Sequence, residues 1–367
     1  MNLDVFRTRF FYCKEHVLKF LKDHLSSMIL LLLLIVFSFF SLFVGAASST
    51  VTVGKVFSGD AAALNLLVVT RLPRLIAILL TGAGMSVAGL IMQALCMNKF
   101  VSPTTGATIS GAQLGTALCL LLIPTAGLWA QVVLAFVFAL VGTWVFVAFI
   151  LKIKFKDPAL VPLIGIMVGN VLTGVTNFIV YKFDMSQQLT SLFTGSFATI
   201  IEGNYEIIYL AAPMVVLAYF FADHFNIVGM GEDLSRNLGV NYKLMLFIGL
   251  SLSAIITASV VVVVGTISYL GLIIPNIVSM FKGDKIRGTL PDTALLGGLF
   301  VLACDVIARV AIPSSGGSIS VEVPVDLIIG IIGSALFILT IVHRMKYGQK
   351  SVKFKLFGGR TLKEGAL

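Results

Sequence analysis

The chain has 367 residues, of which 58% are apolar and 12% charged, with a mean hydropathy of +1.04. A soluble domain carries about a quarter charged residues, so a water-soluble fold is excluded. The net charge of +9 lies in short polar stretches between apolar runs, which points to membrane topology and anionic lipid rather than nucleic acid.

Apolar runs of roughly 20 residues each read as membrane-spanning helices. They predict an all-α, polytopic membrane protein with ten spans, near 25–47, 74–97, 106–123, 128–151, 159–181, 206–224, 242–264, 268–281, 292–312 and 325–343. The eighth is too short to cross as one straight helix, so it either starts earlier, around Gly265, or is broken. Lys55, Arg71, Arg74, Lys182 and Arg309 fall on one side of this arrangement, and every other Lys and Arg falls on the opposite side. The positive-inside rule then places both termini in the cytoplasm, as an even number of spans requires. This divides the chain into an amphiphilic cytoplasmic N-tail (1–24), a ten-helix transmembrane domain (25–344) and a basic cytoplasmic C-tail (345–367).

The N-tail, with Arg7, Arg9, Lys14, Lys19 and Lys22 beside Phe10, Phe11 and Tyr12, suits an interfacial helix on the inner leaflet. Residues 48–73 read as an outward loop ending in Arg71-Leu72-Pro73-Arg74. The stretch from Arg71 to Gly115 is the centre of the chain. Its uncharged helix carries Gly82, Gly84, Ser86, Ala88 and Gly89, breaks at Asn98-Lys99-Phe100-Val101-Ser102-Pro103, and restarts through Gly106, Gly111 and Gly115. Small residues of this kind let helix backbones approach in lipid. Arg71, Arg74 and Arg309 put three guanidinium groups on a face with few other cations, a docking site for carboxylates. Asp305, four residues before Arg309, fits an ion pair that neutralises both as well as it fits a substrate role.

In the fifth span Asn170, Thr173 and Asn177 share one stripe, read as lining a path, with hydrogen bonding between helices as the alternative. The inward segment 225–243 carries Gly231-Glu232-Asp233-Leu234-Ser235-Arg236-Asn237-Leu238-Gly239. This predicts a short helix with acids at its start and Leu234 and Leu238 on one face, shaped to enter a partner's groove. Cys13, Cys96, Cys119 and Cys304 have no metal-ligand spacing, and His16, His24, His224 and His343 sit in tails or at span ends. No metal site, disulfide or catalytic triad is expected. The cytoplasmic loops contain no phosphate-cradling motif, so a nucleotide, if used, belongs to another chain.

Four stretches together resemble the FecCD family of ABC importer permeases for iron–siderophore complexes, haem and cobalamin. They are Arg71–Gly115, GMGEDLSRNLGV (229–240), GTISYLGLIIPNIVSMFKGDKIRGTLP (265–291), and CDVIARV (304–310) with VEVPVDLIIGIIGSALFI (321–338). The wording of GAGMSVAGLIMQ and NKFVSPTT is closest to permeases for catechol-type siderophores. The resemblance implies a non-enzymatic permease of a bacterial cytoplasmic membrane that binds no cofactor. Its partners would be a second permease, two ATP-binding subunits that use ATP, an extracytoplasmic binding protein and an iron–siderophore substrate. It also implies that Arg71, Arg74 and Arg309 meet glutamates of the binding protein, that Gly231–Gly239 form the helix coupled to the ATPase, and that Asn98 and Phe100 lie near an inner gate. The chain departs from the family's usual wording at Asn98-Lys99-Phe100, Gly265-Thr266 and Pro275-Asn276. An ion-coupled secondary transporter is the alternative from another class, with Asp305 as its one deep acid; a membrane enzyme is disfavoured by the lack of clustered His, Glu or Cys.

Overall fold

The computed structural model describes residues 25–44, 60–152, 160–310 and 323–348, with 55 and 58, so the predicted N-tail and most of the C-tail lie outside the described residues. Twelve helices follow: α1 Leu25–Phe43, α2 Ala61–Leu95, α3 Thr108–Leu122, α4 Leu128–Lys152, α5 Leu160–Lys182, α6 Ser186–Phe193, α7 Ala211–Val228, α8 Glu232–Asn237, α9 Tyr242–Val263, α10 Leu270–Lys282, α11 Ile286–Val310 and α12 Val325–Gly348. Eight helical stretches among the described residues are long and apolar enough to cross a membrane, and α3 and α10 are shorter apolar helices. All ten expected spans are thus present as helices. No strand occurs among the described residues beyond one isolated bridge.

The second span corrects the sequence reading. It starts at Ala61, not at Arg74, and its 35 residues would extend about 52 Å at 1.5 Å per residue, well beyond a hydrocarbon core of about 30 Å. Asp60 begins it, its Oδ1 accepting from the Ala62 N–H at 3.1 Å. The Arg-Leu-Pro-Arg sequence reads as a helix start because proline favours the first turn. Here Pro73 sits far inside the helix, and a wider π turn over Leu67–Arg71 accommodates it. The missing proline N–H leaves the Val69 carbonyl without its helical donor, and the Glu202 N–H supplies one at 3.0 Å.

The eighth span is broken, as its length required. After α9 the chain runs through Gly265 (φ 92°) and Tyr269 (φ 62°) before α10 begins, and α10 has only 13 residues. Irregular backbone at membrane depth needs internal partners. Thr266 N donates to Phe193 O at 3.2 Å, Ser268 N to Asp326 Oδ1 at 2.7 Å, and Asp326 N to Gly195 O at 3.2 Å, joining this break to the end of α6 and the start of α12. Pro275 inside α10 frees the Gly271 carbonyl in the same way that Pro73 frees Val69. Gln93 Nε2 of α2 takes it up at 3.2 Å.

Burial orders the helices. The most apolar window of α2 is 78% buried and that of α9 72%, whereas α1 has 6% and α12 17%. The centre is therefore α2, with α9, α10 and α11 packed on it. Hydrophobic burial does not draw helices together in lipid, so close approach and polar contacts must. A Cβ on Gly82 would lie 2.5 Å from Gly297 O, and one on Gly89 would lie 1.9 Å from Gly271 O, so these crossings are backbone against backbone. Gly111 and Gly115 of α3 meet Phe138 O and Leu134 O of α4 in the same manner, at 2.4 Å each.

Candidate functional site

Where α1 and α11 end, the three arginines predicted to share a face come together. Arg74 Nη2 lies 2.8 Å and Arg74 Nε 3.3 Å from Asp305 Oδ1. Arg309 Nη2 lies 2.6 Å from the other oxygen, Oδ2, as an ion pair without hydrogen-bond alignment. Arg309 also donates to Val44 O at 2.6 Å, to Ser41 O at 3.1 Å and to Ser41 Oγ, and Arg71 donates to Val44 O at 2.7 Å. These carbonyls end α1 and lack intrahelical donors, and a helix C-terminus favours cations. The cluster is graded in depth: the Arg309 side chain is 2% exposed and that of Arg74 12%. The sequence held an Asp305–Arg309 pair level with a substrate role; the pair is present, and Arg74, which the sequence did not place there, shares the same carboxylate.

A second buried carboxylate, which the sequence reading passed over, sits on the inner half of α11. Asp292 pairs with Lys282 of α10 and accepts from the hydroxyls of Ser26 and Ser27 at the start of α1, the former at 3.1 Å.

After α7 the short helix α8 forms as predicted. Gly231 (φ 107°) opens it and Gly239 (φ 76°) closes it, conformations that suit glycine. Ser235 is buried and donates to Gly231 O at 2.7 Å and Ile227 O at 3.2 Å, locking α8 onto the end of α7. Glu232 and Arg236 pair at 2.7 Å, and Asp233 joins Glu232 in the first turn. Leu234 and Leu238 remain exposed beside exposed Met230, which leaves an apolar ridge facing away from the protein.

The loop after α2 lies at the same end as α8, where a Cβ on Gly229 would come 3.1 Å from Ala94 O. Asn98 is buried and its Oδ1 accepts from the Phe100 N–H at 2.8 Å. Asn276 Nδ2 donates to Lys99 O at 2.8 Å, Lys99 pairs with Asp284 at 2.7 Å, and Phe100 meets Phe337 of α12 edge-on at 6.1 Å. This loop therefore touches α10, the α10–α11 turn and α12. The predicted stripe of α5 divides: Asn170 and Asn177 face outward from the chain, while Thr173 turns to α3 and donates to Ser110 Oγ at 3.3 Å. No group of His, Cys, Asp and Glu among the described residues could hold a metal ion.

One long apolar bundle thus carries an arginine cluster at one end and an exposed leucine ridge at the other. The FecCD transport family matches residues 32–343. The chain belongs to that family. Its membership makes it a membrane permease subunit, multi-pass in the bacterial cytoplasmic membrane. Among similar proteins, the petrobactin import system permease protein YclN of Bacillus subtilis (strain 168) is 42% identical over 318 residues, covering 87% of this chain and 98% of that one. The petrobactin import system permease protein FatD of Bacillus anthracis is 37% identical over 288 residues, 78% of this chain and 84% of that one. In fold, this FecCD permease resembles a chain of a metal-chelate type ABC transporter solved in an inward-facing conformation. That likeness has a TM-score of 0.72 at 23% identity and covers 86% of this chain and 98% of the other.

Proposed function

We propose that this FecCD permease faces a second permease across a central path, with two ATP-binding subunits beneath and an extracytoplasmic substrate-binding protein above. Its cargo is an iron(III)–siderophore chelate, a reading supported by the petrobactin import permeases it resembles. Haem and cobalamin, which other importers of this architecture carry, are the less favoured cargoes. Both termini lie in the cytoplasm, the chain binds no cofactor, and ATP is hydrolysed in the partner subunits.

The observation that carries this reading is α8. A six-residue helix with two exposed leucines, fixed by glycines at both ends and by the buried Ser235 hydroxyl, is a rigid knob rather than a floppy connector. Such a knob fits a groove in a partner and transmits its movement to α7 and α9. Closure of the ATPase pair around ATP moves α8, the helices rock, and the chelate passes inward. Asn170, Thr173 and Asn177 of α5 border the path, and the Asn98–Phe100 loop serves as its inner gate. A broad, weakly polar path suits a bulky chelate that must leave again, since a cargo bound tightly in the membrane would not be released.

Arg71 and Arg74 meet carboxylates of the binding protein, with Arg309 completing the positive cluster behind them. The decisive experiment replaces Arg236 by Glu and Leu238 by Ala together. Uptake of radiolabelled iron presented as a panel of siderophores, in cells lacking the native chain, is expected to collapse, and the ATPase subunit to be lost on purification in mild detergent. Uptake at the wild-type rate would sink the coupling role, and transport by the purified chain alone would sink the ABC reading.

A further inference from the structure

Of the three guanidinium groups in the arginine cluster, two meet the one carboxylate, which divides its oxygens between them. Arg74 places both its Nε and its Nη2 on Oδ1, while Arg309 sits against Oδ2. The two arginines are not equivalent. Arg309, 2% exposed, also donates from Nη1 and Nη2 to Ser41 and Val44 and so holds the end of α1. Arg74 is the more exposed of the two, and both of its contacts to Asp305 end on a single oxygen. Withdrawing Arg309 would take its donors from Ser41 O and Ser41 Oγ and leave Val44 O to Arg71 alone. Withdrawing Arg74 would leave Asp305 still neutralised by Arg309. Removing one partner of a buried pair is severe because it leaves an uncompensated charge; sharing the anion removes that penalty for one of the two cations.

We propose that Asp305 is an internal competitor for the docking carboxylate. In the undocked permease it holds Arg74. When the extracytoplasmic binding protein arrives, Arg74 exchanges from Asp305 Oδ1 to a carboxylate of that protein, while Arg309 stays with Asp305 and α1. This rests on the docking role given above to Arg71 and Arg74, and it adds a positioning residue that does not itself touch the partner. A guanidinium suits such an exchange, because its planar fork can meet one carboxylate as well as another. The competition weakens docking and speeds release, which a carrier that delivers cargo repeatedly requires. It also places the exchange on α11, the helix whose inner half is tied through Asp292 to Lys282 of α10.

The test uses the permease–ATPase complex in nanodiscs, titrated with the purified, fluorescently labelled binding protein of the same importer. Arg74→Ala is expected to loosen docking. Asp305→Asn is expected to tighten it about tenfold, with most of the gain in slower dissociation, a coupling of ordinary size for linked sites. Because Asp305→Asn alone leaves two buried guanidinium groups and endangers folding, the charge-balanced pair Asp305→Asn with Arg309→Gln is measured beside it. That pair is expected to tighten docking to a similar degree. Docking by the pair that is unchanged or weaker, with Arg74→Ala still loosened, overturns the exchange and leaves the docking role standing. Docking by Arg74→Ala at wild-type affinity instead overturns the docking role of Arg74, and the exchange with it.

Discussion

The two ends of α11 solve the same problem with different chemistry. Both Asp292 and Asp305 are buried, Asp292 holds α1 directly and Asp305 through Arg309, and they lie about 20 Å apart along the helix at 1.5 Å per residue. α1 needs them, because only 6% of its most apolar window is covered by the rest of the chain. At the inner end one carboxylate meets one ammonium and two hydroxyls, so charge is balanced. At the other end one carboxylate is shared by two guanidinium groups, those of Arg74 and Arg309, with Arg71 beside them on Val44 O. The inner cluster is a tether. The other is a tether whose carboxylate is shared between two cations, which is what an exchangeable contact needs.

Asp305→Ala should show the larger dependence. It leaves Arg74 and Arg309 without their carboxylate in a site where the side chains are 12% and 2% exposed, and removing one member of a buried pair costs about 3–5 kcal/mol. Thermal unfolding of the detergent-purified permease should fall by many degrees; an unchanged midpoint would mean the cluster holds nothing. Gly297→Val separates the two ends by position. A Cβ there would lie 2.2 Å from Ser86 Oγ and 2.4 Å from Gly82 O, forcing α2 off α11 at about 1–3 kcal/mol. Arg74 rides on α2, whereas the Asp292 cluster has no member on α2. A double-mutant cycle should therefore find the Arg74–Asp305 coupling reduced in the Gly297→Val background and the Lys282–Asp292 coupling kept. Asp292→Asn comes next, at about 1–2 kcal/mol, because the amide oxygen still accepts from one serine hydroxyl, the amide N–H can donate to the other, and Lys282, 21% exposed, can reach water along its stem.

Much of this was legible before any coordinates. Long apolar runs gave the spans, Gly82, Gly89, Gly111 and Gly115 gave the close helix crossings, and the glycines around Glu232–Leu238 gave α8. What stayed hidden depended on partners far away in the chain. Pro73 reads as a helix start because nothing local says that Glu202 will take up the carbonyl it frees. α6 is too short to leave a strong pattern. Asp292 follows a proline and stands near the polar α10–α11 turn, so it looks like a solvated residue until Lys282 and the start of α1 are placed around it. The stripe on α5 had the right period, but period alone does not say which side of the stripe α3 will claim.

An ion pair that is not buried sets the lower end of the comparison. Glu232 and Arg236 of α8 pair at 2.7 Å with side chains 43% and 67% exposed, and an exposed pair one helical turn apart contributes at most about 0.5 kcal/mol. Arg236→Ala should therefore leave the unfolding midpoint close to wild type and nearly insensitive to salt. Should it lower the midpoint as far as Asp292→Asn does, burial is not what distinguishes the clusters of α11. The shape of α8 must then rest on its glycines and on Ser235, whose hydroxyl reaches Gly231 O and Ile227 O inside the protein. Ser235→Ala would accordingly loosen the helix more than Arg236→Ala, although it removes no charge at all.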